Sequence, residues 1–133
     1  MLFRSESSYS TPLHYAASIG RTTIVELLLG KGASIGARDK FNNTPLYLAA
    51  YNGHPVKVEL LLEKGASIGA MNECGNTPLH NAALNGHTGT VELLLGKGAS
   101  IEENEFKQTP LDLAAKSDIV HLLERKNIER FGW

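Results

Sequence analysis

The sequence predicts an all-α solenoid of about four stacked helix-turn-helix units joined by hairpin loops. The first observation is a repeat of 33 residues, because residues 11–43 and 44–76 align without a gap and are identical at 19 positions. The second is that each copy carries two short apolar segments with helical spacing, separated by a glycine. Such a period is typical of architectures in which each unit buries its apolar face only by stacking on a neighbour.

The first helix of each copy begins at a Thr-Pro pair. The threonine hydroxyl can accept free backbone N–H groups at the helix start, and proline suits the first helical position. We therefore expect the first helix to span about Pro12 to Ile19. The second helix carries a Val-Glu-Leu-Leu-Leu segment and should end at a glycine with a left-handed conformation, which is Gly32, Gly65 or Gly98.

Small residues on the first helix predict close packing of neighbouring units. An Ala-Ala pair recurs in all four copies, at 16/17, 49/50, 82/83 and 114/115. Side chains of this size let adjacent first helices approach each other closely. Leu13 on helix one and Val25 on helix two complete an apolar face that one pair of helices cannot bury alone.

The last two copies are shorter than the first two. Residues 77–108 lack one residue, and the copy that starts at Thr109 lacks three between its helices, so Asp118 is predicted to cap a shortened helix. A polar outer side is predicted for that helix, as a terminal repeat needs for solubility. The residues concerned are His121, Glu124, Arg125 and Lys126. The sequence therefore predicts a chain that is complete at its C-terminus.

A family resemblance rests on the helix-one segments TPLHYAA, TPLYLAA, TPLHNAA and TPLDLAA and on the repeated VELLL and KGASI blocks. These segments resemble ankyrin repeats over residues 5–126. The resemblance implies L-shaped units, each with a hairpin loop and two antiparallel helices, stacked into a curved solenoid. It also implies a role in protein recognition, with no ligand or reaction common to the family.

The resemblance divides the chain into six segments. They are an N-terminal segment at 1–7, repeats at 8–37, 41–70 and 74–103, a truncated capping repeat at 107–126 and a tail at 127–133.

Composition narrows the classes of partner and compartment. Thirteen Lys and Arg against fourteen Asp and Glu leave a net charge of −1, so no overall field attracts nucleic acid or an anionic membrane. A single cysteine and the lack of an apolar N-terminal run favour a reducing, intracellular location. We expect a monomer in the cytoplasm, with the nucleus or a host cell left open, and no membrane span or cofactor.

Cys74, His80 and His87 raise the possibility of a metal-dependent or nucleophilic enzyme. A zinc site needs three or four converging ligands, but these histidines recur at repeat positions in different parts of a unit. The resemblance implies that the first histidine bonds within the turn region and that the second orders the helix connection. The expectation is therefore a framework role for both histidines and no catalytic or metal site.

Positions that differ between copies mark the free surface of a stack. They predict a protein-binding groove made by the hairpins and the first helices. The predicted contact residues are Arg38, Lys40, Phe41, Asn43, Tyr51, Asn52, Met71, Glu73, Cys74, Asn76, Leu84 and Asn85. Aromatic residues, Met and Arg are frequent anchors of interfaces, which favours binding of another protein.

One further alternative is an engineered or purely structural scaffold. The near-identical VELLL and KGASI blocks fit a consensus design, whereas the irregular third loop, Met71 and Cys74 favour a natural sequence.

Overall fold

The computed structural model describes residues 10–114 and 123–125, and within them it is all-α. Two helices form each of the first three units, and the fourth unit begins with a short one. Their bounds are α1 Pro12–Ile19, α2 Thr22–Gly30, α3 Pro45–Tyr51, α4 Pro55–Glu63, α5 Pro78–Leu84, α6 Thr88–Gly96 and α7 Pro110–Leu113. Residues 123–125 are also helical. The predicted fold class and the predicted bounds of the first helix are confirmed.

Some predictions for the last unit lie outside the described residues. They concern Ala115, Asp118, His121 and Lys126. Glu124 and Arg125 are exposed, as expected for a polar outer side.

Threonine caps begin all four first helices, as predicted. The side chain of Thr11 accepts the backbone N–H of His14, and Thr44, Thr77 and Thr109 make the equivalent bond. In three copies the third helical residue also accepts the backbone N–H of the cap, which satisfies a second free donor.

Left-handed glycines follow the second helices, also as predicted. Gly32, Gly65 and Gly98 have φ of 96°, 102° and 93°. A Cβ at any of these glycines would meet nothing within 4 Å, so the backbone conformation rather than crowding requires glycine.

Neighbouring units pack through first helices on one side and second helices on the other. α1, α3, α5 and α7 contact one another in that order, and so do α2, α4 and α6. Ala17, Ala50 and Ala83 are fully buried between first helices. They belong to one continuous apolar core with Val25, Val58 and Val91 of the second helices. The core therefore runs along the stack.

Hairpin loops lie between each second helix and the next first helix, and they are held by their own side chains. Asp39, Asn72 and Asn104 each accept two backbone N–H groups of their own turn through one side-chain oxygen. This is the local bonding by which Asp and Asn favour turns. The hairpins of the first three units are therefore ordered structures of one type.

Hydrogen bonds also tie each hairpin to the next one. Glu73 N donates to Phe41 O at 3.0 Å, and Glu105 N donates to Cys74 O at 2.9 Å. Side-chain amides add a parallel set of bonds, from Asn72 Nδ2 to Asn43 Oδ1 at 3.1 Å and from Asn104 Nδ2 to Asn76 Oδ1 at 2.8 Å. Equivalent positions of the three hairpins consequently lie in rows along the stack.

Candidate functional site

A shallow groove of about 310 Å³ lies between the first two hairpins and the first helices of the second and third units, α3 and α5. It is lined by Phe41, Asn43, Tyr47, Leu48, Tyr51, Asn72, Glu73, Cys74 and Asn81. Five of these belong to the set predicted from the sequence: Phe41, Asn43, Tyr51, Glu73 and Cys74. The structure thus brings residues of two hairpins and of the helices α3 and α5 together at one place, which we call the central groove.

Two aromatic side chains form the exposed walls of the central groove. Phe41 is 48% exposed and Tyr51 is 47% exposed, although both lie beside the packed core. The Phe41 backbone N–H is held by Asp39 Oδ1 at 2.9 Å, and Lys40 Nζ lies 5.0 Å from the centroid of the Phe41 ring. The hairpin therefore presents an exposed aromatic ring with a cation above it.

The floor of the groove is polar and centres on Tyr47. Its hydroxyl accepts a hydrogen bond from Asn72 Nδ2 at 3.0 Å. Burial raises the pKa of Tyr47 to about 12, against the opposing effect of hydrogen bonds with Asn76 and Asn81. The phenol is therefore neutral at physiological pH and adds hydrogen-bonding capacity beneath two apolar walls.

Several predicted contact residues also join neighbouring units. Arg38 Nη1 donates to Met71 O at 2.7 Å, and Asn85 Nδ2 donates to Tyr51 O at 3.0 Å. Asn52 Nδ2 donates to Ser18 Oγ at 2.9 Å, and the amides of Asn43 and Asn76 belong to the bonds between hairpins. Contact of these residues with a partner stays a prediction.

A comparison with known proteins shows to which protein family the chain belongs. A family model described as ankyrin repeats in three copies matches residues 2–72 and again residues 58–130. The chain belongs to the ankyrin repeat family. An ankyrin repeat protein of Rickettsia bellii (strain RML369-C) is 52% identical over 40 residues, which cover 30% of this chain. The matched part spans only 17% of that relative's own length. Ankyrin repeats are generally protein–protein interaction modules.

Tyr47 is a residue of the groove at which the second ankyrin repeat departs from the first and third. His14 and His80 occupy the equivalent positions, and each uses Nε2 to donate to a carbonyl of the following turn at 2.9 Å. A tyrosine at this position instead has its hydroxyl under the groove. Four lining residues were not predicted from the sequence: Tyr47, Leu48, Asn72 and Asn81. For Tyr47, the change from TPLH in the first and third copies to TPLY in the second was a signal in the sequence.

The histidines next to Cys74 are framework residues of the ankyrin repeats, as expected. His80 Nδ1 accepts the N–H of Thr77 at 3.1 Å while Nε2 donates to Gln108 O, so both ring nitrogens are engaged. Burial lowers the pKa of His80. His87 Nε2 donates to Tyr51 O at the end of α3, at 2.9 Å. Among residues 10–114 and 123–125, no group of three or more His, Cys, Asp or Glu could hold a metal ion.

Further exposed apolar residues flank the central groove. Met71 is 41% exposed and Leu84 is 44% exposed, and both were predicted contact residues. Phe106 is 67% exposed and was not in the predicted set. Phe106 in the third hairpin is equivalent to Phe41 in the first hairpin and to Cys74 in the second. Apolar side chains therefore extend beyond the groove along the hairpin tips.

A second apolar depression, of about 620 Å³, lies on the outer face of the first repeat. Its lining includes Tyr15, Ile19, Ile24 and Leu28. The position of Leu28 is taken in the second repeat by Leu61, which is fully buried in the continuous core. Leu28 thus lies at a position that is packed in the second repeat, and the residues that line the depression are not hairpin residues. None of the helices in the described parts of the chain is long and apolar enough to cross a membrane.

Proposed function

We propose that this ankyrin repeat domain is a non-catalytic module that binds another protein through the concave surface of its hairpins and first helices. The observation that carries the proposal is the pair of half-exposed aromatic walls, Phe41 and Tyr51, above the polar floor of the central groove. Aromatic side chains are typical anchors of protein–protein interfaces. The domain acts as a monomer inside the cell, without a cofactor, and its segments are those derived from the sequence.

The proposed mechanism is preorganisation. The hairpins are fixed by bonds such as that from Glu73 N to Phe41 O, so little conformational entropy remains to be lost when a partner binds. Tyr51 lies on α3, whose neighbouring Ala49 and Ala50 are fully buried. The backbone that carries both walls is therefore held in place in the free protein.

Substitution of Phe41 and Tyr51 by alanine tests this function. We expect each change to weaken binding by about 2 kcal/mol, because truncation of a central aromatic anchor has this magnitude. The partner is first isolated by affinity capture from a cell extract, and its affinity for each purified variant is then measured by calorimetry.

The matched control is Val56→Ala, which removes a 67% exposed apolar side chain from α4, outside the lining of the central groove. It should leave the affinity unchanged, and circular dichroism should show that all variants remain folded. An identified partner that binds the two aromatic variants as tightly as the wild type would overturn the proposal. That result would favour a purely structural scaffold.

A further inference from the structure

Charge changes sign along the row of hairpin tips. The first hairpin exposes Arg38 and Lys40, whereas the third exposes Glu103 and Glu105. The second hairpin has Glu73 at its exposed tip. Although the protein's net charge is small, this surface is basic at the first hairpin and acidic at the third.

Nearby charges of opposite sign do not remove this polarity. Asp39 lies in the first hairpin, but its carboxylate accepts the N–H groups of Phe41 and Asn43 and the amide of Asn43, so it faces its own turn. The third hairpin also contains one base, Lys107, but three acids lie close to it in the sequence: Glu102, Glu103 and Glu105. That hairpin stays acidic.

The alignment of equivalent hairpin positions determines where these charged side chains lie relative to the central groove. Because bonds join Glu73 to Phe41 and Glu105 to Cys74, positions 40, 73 and 105 form one row that reads Lys, Glu, Glu. Positions 38, 71 and 103 are equivalent to one another and read Arg, Met, Glu. Lys40 lies over the Phe41 ring, and Glu73 lines the same groove. The sign therefore changes across the central groove itself.

We propose that the partner segment is bipolar: an apolar side chain enters between Phe41 and Tyr51, with acidic residues towards the first hairpin and basic residues towards the third. The inference rests on the proposed function and specifies the chemistry of the partner. Complementary charges around an apolar centre speed association and fix orientation. A uniformly acidic or uniformly basic segment would be attracted at one end and repelled at the other.

Three synthetic peptides of equal length test the inference. All carry the same central tryptophan; one has acidic residues on one side and basic residues on the other, one is acidic on both sides, and one is basic on both. Fluorescence anisotropy with the full chain should show that the bipolar peptide binds about tenfold more tightly than either of the others. High salt should reduce that preference, because the charges are exposed.

Charge reversal on the protein should change the preferred peptide. Lys40→Glu should favour the peptide that is basic on both sides, and the pair Glu103→Lys and Glu105→Lys should favour the one that is acidic on both sides. Arg38 is left unchanged because it bonds to Met71 O. The matched control for Lys40→Glu is Lys64→Glu, which makes the same change of net charge at the exposed C-terminal end of α4. It should preserve the bipolar preference.

Equal affinities for the three peptides, or an unchanged preference in the charge-reversed variants, would overturn the inference. So would a lack of binding of the bipolar peptide at about 1 mM. The proposed function is distinguished by Phe41→Ala and Tyr51→Ala. If peptide binding depends on these residues but not on the charges, the groove function stands and the bipolar partner does not.

Discussion

One position on the second helix shows how a single side chain depends on its neighbouring unit. Residues 24, 57 and 90 are equivalent in the first three copies, as Ile, Lys and Thr. Lys57 is buried and donates from Nζ to Ala16 O of the preceding unit at 3.1 Å, and burial lowers its pKa. Thr90 is also buried, but its hydroxyl has no hydrogen-bond partner among the described residues.

Replacing Thr90 by valine should increase the free energy of unfolding by about 1 kcal/mol. Valine has nearly the same shape and removes a buried hydroxyl whose desolvation is not offset by a hydrogen bond. Urea unfolding followed by circular dichroism measures the change. The control Thr23→Val, at an exposed position of α2, should have almost no effect. Loss of stability in the Thr90 variant would contradict this account.

At the scale of helices and hairpins, the second and third units are joined differently from their neighbours. His14 and His80 connect a first helix to the carbonyl of the next turn, whereas Tyr47 accepts a bond from Asn72. The same Tyr47 forms the floor of the central groove. Departures from a repeated pattern are expected where function competes with local consistency.

Restoring the histidine by Tyr47→His should increase stability and weaken partner binding. The imidazole can bridge Thr44 to the carbonyl of the next turn, and we expect a gain of about 1 kcal/mol from the additional hydrogen bond. The groove loses its phenol at the same time, so affinity for the partner should fall. Unfolding in urea and calorimetric titration measure the two effects. A variant that is more stable and binds equally well would show that Tyr47 has no part in recognition.

The elements could be predicted from the sequence because their chemistry is local and repeated. The threonine caps, the helix Pro12–Ile19 and the left-handed Gly32 each depend on neighbours in the chain. In the groove floor, Asn81 could not be predicted, since it comes together with Tyr47 only through the stacking of two units. Phe106 was missed because the shortened third copy obscured its equivalence to Phe41.

At the scale of the whole molecule, stability is shared among units that contact only their neighbours, as in other repeat proteins. Loss of one bridge between units is therefore expected to affect unfolding of the stack. His80 is such a bridge, because it is fully buried and bonds from α5 to the turn before α7. Its protonation state links stability to pH.

Stability should decline as the pH falls below about 6.5. The unfolded chain protonates His80 near its ordinary pKa of 6.5, whereas burial lowers the pKa in the folded state. Between the two pKa values the unfolded state binds more protons, so unfolding is favoured; above 6.5 both states are neutral and the full contribution remains. Urea unfolding at a series of pH values measures the slope.

His80→Gln is the matched variant for this measurement. It should be less stable at neutral pH and should lose part of the pH dependence, because glutamine does not titrate. An identical slope in the variant and the wild type would assign the pH dependence to other groups.

The tyrosine at position 47 also has a mechanical consequence. Each histidine bridge resists the separation of two units. Between the second and third units, a hydrogen bond from the Asn72 amide to the Tyr47 phenol replaces the histidine bridge. Under tension applied at the two ends, we expect the stack to part first at this joint. The central groove spans the same boundary between the second and third units. A pulling force would therefore release a bound partner before either half of the domain unfolded.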